Sequence, residues 1–263
     1  MRQRVVTALL LAIPALLALA SRSPVWLFTL GLAASLIGGL EADRLLNVPR
    51  PVIGVLSVVL FGFFASPLLA YHGRATEALV MLLVSATLIG IAAASVPESM
   101  PSRSLLRSFG GLWIAAPLMA ILALHRSASG FGQWCVSPAL MALVPVWAGD
   151  IAAIFAGKAF GKHLLAPSIS PKKTVEGSVA NLLAAILVAW LLGRLLHLDD
   201  VRSLGAGLAV GLLGQAGDLF ESWLKRRAGV KDSGTLLPGH GGVLDRIDSV
   251  LFAAPAVALI LLN

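Results

Sequence analysis

Charge is scarce in this sequence. Of its 263 residues only 13% are Asp, Glu, Lys or Arg and 58% are hydrophobic, with a mean hydropathy of +0.90, whereas soluble domains carry about 25% charged residues. A chain so poor in charge cannot cover a water-facing surface, which excludes an ordinary soluble domain. Cysteine is almost absent as well. Cys135 stands alone, so an intramolecular disulfide framework and a thiolate zinc cluster are both excluded, and a small packing residue is left. A basic stripe is missing too: the net charge is +7, but the Lys and Arg residues are scattered between apolar runs. That argues against nucleic acid as a partner and for anionic lipid headgroups and phosphate-bearing substrates.

What the sequence does have is long apolar runs. Nine of them, at roughly 5–20, 24–40, 52–70, 77–96, 109–124, 137–156, 178–197, 203–220 and 244–262, are near the 17 to 25 or so residues that a membrane-crossing helix needs. The expected fold is therefore all-α, a polytopic integral membrane helical bundle of about nine transmembrane helices. Pro14, Pro67 and Pro117 inside these runs are tolerable in a bilayer, and abundant Ala and Gly permit close helix contacts. The first run, with Arg2 and Arg4 before it and Ala18-Leu19-Ala20 at its end, also resembles a cleavable secretory signal. Cleavage would leave eight spans without altering the orientation of the rest.

Nine spans divide the 20 Lys and Arg residues into fifteen on one side and five, Arg22, Arg74, Arg126, Arg194 and Arg202, on the other. The positive-inside rule then puts the amino terminus and the loops after spans two, four, six and eight in the cytoplasm. The compact length suits a bacterial-type inner membrane.

Polar residues are distributed unevenly, and this defines two regions. Residues 1–130 read as a transmembrane scaffold, with Glu41, Asp43, Glu77 and Glu98 as solvated charges at span ends. Residues 131–263 read as the catalytic transmembrane region with its cytoplasmic loops. His125 and His197 are expected at the opposite interface. Asp150 lies about six residues inside the expected end of span six, roughly 9 Å below the membrane surface. An intramembrane carboxylate is a functional candidate by default. The loop that follows contains Ser170-Pro171-Lys172-Lys173-Thr174 just before a helix expected from about Ser178. Hydroxyls and two ammonium groups at a helix start suit an anion.

The stronger signal is the run from Gly217 to Asp248. If span eight continues as helix, Asp218, Glu221, Ser222 and Lys225 share one face, and Asp245 and Asp248 are likewise three residues apart at the start of span nine. Two helices would each present a carboxylate pair at one depth. Oxygen ligands without thiolates favour a hard cation, Mg²⁺. Between the helices, Gly239, Gly241 and Gly242 permit the positive φ and close backbone approach of a phosphate-cradling turn around His240.

The spacing Ser222-x-x-Lys225-Arg226-x-x-x-x-Lys231-Asp232-x-Gly234-x-x-x-Pro238-x-His240-Gly241-Gly242-x-x-Asp245-Arg246-x-Asp248 resembles the diagnostic motif of the phosphatidate cytidylyltransferases, the CDP-diacylglycerol synthases. The likeness extends through Ser170-Pro171-Lys172-Lys173-Thr174-x-Glu176-Gly177 and Trp147-x-x-Asp150. Ile151, Ile154 and Val175 depart from the family pattern, which affects pocket packing and leaves the reaction unaffected. The resemblance implies condensation of CTP with phosphatidate to give CDP-diacylglycerol and pyrophosphate. It implies Asp218 and Asp245 as principal Mg²⁺ ligands, with Glu221 and Asp248 beside them, and allows a second cation. It further implies that Ser170, Lys172, Lys173, Thr174 and the His240-Gly241-Gly242 turn hold CTP phosphates, with Ser222 and Asp150 lining the substrate site. Lys225 and Arg226 would serve the phosphatidate headgroup, and the assembly would be a homodimer. A cytidylyltransferase or kinase acting on an isoprenoid phosphate or alcohol is the enzymatic alternative. A transporter using the acids as ion sites is the other, but no inverted repeat is detectable.

Overall fold

The computed structural model describes residues 13–21, 23–47, 52–70, 103–127, 137–237 and 241–263. The expected span at 77–96, Cys135 and His240 lie outside the described residues. Residues 13–20 are helical. They are followed by α1 (Pro24–Leu45), α2 (Val52–Ala70), α3 (Arg103–Arg126) and α4 (Leu140–Phe160). After a hairpin of β1 (Leu164–Ala166) and β2 (Ser170–Thr174) come α5 (Val175–Leu195), α6 (Asp200–Ala209), a π-helical turn (Val210–Gly214), α7 (Gln215–Arg227) and α8 (Leu244–Leu262).

Among the described residues, four segments are long and apolar enough to cross a membrane: α1, α4, α5 and the continuous rod Asp200–Arg227. Shorter apolar stretches lie in α2 and α3. The protein is a helical integral membrane protein.

The burial pattern carries the same message. On α5, Val179, Leu183, Leu187, Leu191 and Leu195 form an exposed stripe at four-residue spacing. The opposite face, Gly177, Asn181, Ala185, Ala189 and Gly193, is buried. Large apolar residues outside and small ones inside invert the pattern of a water-soluble helix and match helices that pack closely in lipid. Gly207 of α6 sits against Ile186 and Ala189, and Gly193 against Ser203, so side chains larger than hydrogen would push these helices apart.

Helix α3 is the exception. From Trp113 to Leu124 its residues are buried, with Pro117 accommodated in the helix. A helix that is apolar and covered on all sides is a central strut, and α3 packs on α1, α2 and α8. Trp113 meets Phe220 of α7 edge-on at 5.4 Å between ring centroids. Phe220 also contacts Trp223 at 5.9 Å and Phe252 of α8 at 5.5 Å. This aromatic cluster ties α3, α7 and α8 together below the polar residues.

Several expectations need correction. The Lys-rich loop is not wholly irregular: it folds into an antiparallel hairpin pairing Leu164 with Thr174 and Ala166 with Ser170. Pro167 occupies the second position of the closing turn, where Ile169 N–H donates to Ala166 O at 3.1 Å. Pro171 keeps Ser170 extended. Helix α5 starts at Val175, three residues before the expected Ser178, because Thr174 caps it by accepting from Gly177 N–H at 3.1 Å. His125 is buried, with Nδ1 2.9 Å from Ser137 Oγ.

Glu41 and Asp43 are not solvated either, being 3% and 4% exposed. Asp43 caps α2, accepting from Ile53 N–H and Gly54 N–H at 3.0 Å each. Both carboxylates found backbone donors on other segments, which no local pattern announces.

Candidate active site

Helix α4 runs on to Phe160, so Asp150 sits ten residues from its end, roughly 15 Å along the axis and not 9 Å. Its Oδ1 accepts from Asn181 Nδ2 of α5 at 3.2 Å. Asp218 and Asp248 are its electrostatic neighbours, and Asp248 in turn neighbours Glu221. Four helices, α4, α5, α7 and α8, thus meet around a row of acids.

The expected face of α7 is real. The rod from α6 passes through the π turn and continues to Arg227, carrying Asp218, Glu221, Ser222 and Lys225. Ser222 Oγ lies 3.5 Å from Asp218 Oδ1. Lys225 Nζ donates to Glu221 Oε2 at 2.8 Å and to Asp245 Oδ1 of α8 at 2.5 Å. Glu221 is fully buried and Lys225 is 8% exposed. From the hairpin, Lys173 forms an ion pair with Asp218 Oδ2. The acids of α7 and α8 therefore do converge, with Lys225 standing between Glu221 and Asp245.

The glycine turn is placed differently from the expectation. Gly241 adopts φ +79°, as the turn requires. The described donors that follow it are spent within the protein. Gly242 N–H donates to Asp245 Oδ2 at 2.7 Å, and Ser233 supplies the same oxygen with its N–H and its hydroxyl, both at 2.9 Å. Val243 N–H and Leu244 N–H donate to Glu41 Oε1 and Oε2 at 3.0 and 2.8 Å. In this conformation the start of α8 holds protein carboxylates where a phosphate was expected.

The side chains with access to an anion lie on the hairpin. Lys172 is exposed and Lys173 is half-buried, while Ser170 and Thr174 share the strand. Arg226 is also exposed. It is braced by Ile169 O, 3.3 Å from Nε, and by Val230 O, 3.0 Å from Nη1, so it links the tip of the hairpin to the end of α7. Lys225, expected at a lipid headgroup, is instead enclosed by carboxylates. Glu41 is the residue that sequence reasoning missed; its place in a span of mixed small and apolar residues gives no sign of its partners some two hundred residues away.

Asp150, Asp218, Glu221, Asp245 and Asp248 face two ammonium groups, Lys173 and Lys225. Among the described residues Glu221 Oε1 is buried without a hydrogen-bond donor. An uncompensated acceptor among carboxylates in a low-dielectric interior is relieved by a proton or a cation, and a donor set of oxygen alone suits a hard divalent ion. Among the described residues no three of these groups already stand as a metal-ligand cluster; the fit lies in charge and donor chemistry.

A row of buried acids edged by lysines and a motif spanning two helices can be compared with known proteins. The model of a family described as the cytidylyltransferase family matches residues 2–262. The chain belongs to that family. Among its relatives is a phosphatidate cytidylyltransferase of Staphylococcus aureus (strain COL), 46% identical over 128 residues, covering 47% of this chain and 48% of the relative. One from Staphylococcus epidermidis (strain ATCC 12228) is 44% identical over 126 residues, with the same coverage. The matched part spans about half the length of these staphylococcal relatives. A phosphatidate cytidylyltransferase of Haemophilus influenzae is 33% identical over 287 aligned residues, covering 97% of this chain and 96% of the relative. Within the cytidylyltransferase family, then, the likeness reaches from the motif-bearing helices through the amino-terminal ones.

Proposed function

We propose that this protein is a phosphatidate cytidylyltransferase, condensing CTP with phosphatidate to give CDP-diacylglycerol and pyrophosphate. The observation that carries the reading is the convergence of Asp218, Glu221, Asp245 and Asp248 from α7 and α8 with Lys173 and Lys225, on a chain whose relatives bear that name. A phosphate oxygen of phosphatidate attacks the α-phosphorus of CTP. The new P–O bond forms as the bond to the bridging oxygen breaks, and pyrophosphate leaves with that electron pair. The nucleophile is already ionised, so no general base is required, and positioning and charge neutralisation dominate.

Lys172 and Lys173 hold the CTP phosphates, helped by Ser170 and Thr174 along the hairpin, and Arg226 at the end of α7 serves the phosphatidate headgroup. Asp218, Asp248 and Glu221 are the groups that would hold Mg²⁺, with Asp245 joining them at the oxygen that Lys225 now occupies. Bound there, the ion would supply charge neutralisation between two anionic reactants. Lys225 keeps Glu221 and Asp245 together, and Asp150 with Asn181 closes the far side. Of the two substrates, phosphatidate reaches the site from the inner leaflet of a bacterial inner membrane and CTP from the cytoplasm. The full bundle has about nine spans and assembles as a homodimer.

The test uses purified protein in detergent with labelled CTP, phosphatidate and Mg²⁺. CDP-lipid and pyrophosphate should form in equal amounts, and formation should stop with EDTA. Equal turnover by Asp245→Asn would reject the part assigned to that carboxylate. Activity on a polyprenyl phosphate but none on phosphatidate would reject the substrate.

A further inference from the structure

We infer that Glu41, on α1 in the amino-terminal half, is a positioning residue for the reaction, because it fixes Ser233 and the start of α8 at Val243 and Leu244. The argument starts from its burial. Glu41 is 3% exposed and has no cationic partner among the described ion pairs. A carboxylate withdrawn from solvent persists only where donors replace the lost water. Here the donors are Val243 N–H, Leu244 N–H and Ser233 Oγ, the last at 3.1 Å. All three belong to the motif-bearing region.

Two of them are backbone amides at the beginning of α8, which have no acceptor inside their own helix. An anion there is also favoured by the helix dipole. Glu41 therefore acts as a cap supplied by a distant helix. It sets where α8 begins, and with it the height of Asp245 in the first turn and of Asp248 one turn further on. Ser233 makes the link direct: its Oγ lies 3.1 Å from Glu41 Oε2 and 2.9 Å from Asp245 Oδ2, so its one hydroxyl hydrogen is shared between the two carboxylates. The surrounding glycines mark how closely this carboxylate is enclosed. A Cβ on Gly242 would collide with Ser233 Oγ and Glu41 Oε2, and one on Gly234 would lie 2.5 Å from Glu41 Oε1. A hydrogen is the largest substituent that leaves Glu41 its place at both positions.

The inference rests on the proposed reaction for its kinetic arm only. Glu41→Gln keeps the side-chain volume but sets an amide N–H₂ against one of the backbone donors. Ser233→Ala removes the shared hydroxyl and leaves the backbone bonds to Glu41. Turnover of CTP and phosphatidate should fall at least tenfold in Glu41→Gln. The loss should be clearly smaller when the same change is made in Ser233→Ala, since both act on Asp245; a destabilising change unrelated to Asp245 would cost the same factor in either background.

Hydrogen exchange by mass spectrometry gives a second arm that needs no catalysis. In Glu41→Gln, peptides covering 231–247 should exchange faster while those of α4 and α5 keep their wild-type rates. Wild-type turnover in Glu41→Gln, equal losses in the two backgrounds, or acceleration spread evenly over the protein would each overturn the inference. If the wild-type protein made no CDP-lipid, the proposed function would fail and the local exchange change would still decide the role of Glu41.

Discussion

The two ends of the acid row are built on opposite plans. At one end Asp218 pairs with Lys173 from the hairpin, and both side chains keep about a third of their surface, 32% and 29%. At the other end Asp245 is 4% exposed and accepts from Lys225, Ser233 and Gly242. The first pair can open for a charged ligand at small cost, because an exposed ion pair contributes about 0 to 1 kcal/mol. The second opens only where an incoming cation takes the place of the ammonium, because separating it otherwise strands charge in the interior. An aspartate inside the continuous rod is thus readily exchangeable, while one in the first turn of α8 is tightly held.

The largest effect should follow from attacking the closed end. Lys225→Met leaves Glu221 and Asp245 without their shared ammonium. Removing one member of a buried charge group costs roughly 3 to 5 kcal/mol. The unfolding midpoint in detergent should therefore drop well below that of wild type, together with loss of turnover. A midpoint within a degree of wild type would show that the ammonium of Lys225 does not stabilise the closed end.

At the open end the prediction reverses the order of stability and activity. Asp218→Asn keeps shape and should leave the midpoint nearly unchanged, while CDP-lipid formation falls about 100-fold, the scale seen when one charge-stabilising group is removed from a polar transfer site. If stability fell and turnover survived, the two ends would have been assigned the wrong way round.

How much of this was visible beforehand follows the range of the interactions. Helical spacing put Asp218, Glu221, Ser222 and Lys225 on one face, and that face is present because it depends on local geometry alone. The π turn at Val210–Gly214 does not break the rod, so the register survives. The hairpin is not legible in the sequence because its strands are short, three and five residues, and the second is wholly polar apart from Pro171. Glu41 and Asp43 were read as solvated because acids at span ends usually are. Their partners lie 202 and 10 residues away for Val243 and Ile53 respectively, and nothing in the spacing of a single helix encodes such pairings. The glycine turn was legible in conformation, with Gly241 at φ +79°, and not in its partners.

A smaller effect probes how tightly the closed end is enclosed. Gly242→Ala would set a methyl group against Ser233 Oγ and the Glu41 carboxylate. Overpacking of this kind costs about 1 to 3 kcal/mol. Gly229 is the control: its φ is positive, +71°, but a Cβ there meets nothing within 4 Å, so Gly229→Asn, which tolerates that conformation, should be close to neutral. Equal midpoints for the two variants in thermal unfolding would show that the region around Glu41 yields more readily than its contacts imply.

The smallest predicted effect returns to the open end. Thr174 closes β2 and begins α5, its hydroxyl oxygen accepting from Gly177 N–H at 3.1 Å. It stands next to Lys173, so the cap fixes the point from which that lysine reaches Asp218. Thr174→Ala should cost about 1 kcal/mol, the usual worth of such a cap, and Thr174→Ser should restore most of it. If Lys173 holds the CTP phosphates, the Ala variant should also raise KM for CTP severalfold while kcat changes little, because the acids that act in the transition state are anchored on α7 and α8. A fall in kcat with KM unchanged would instead tie the hairpin to the chemical step, and the division between an exchangeable and a fixed end would have to be redrawn.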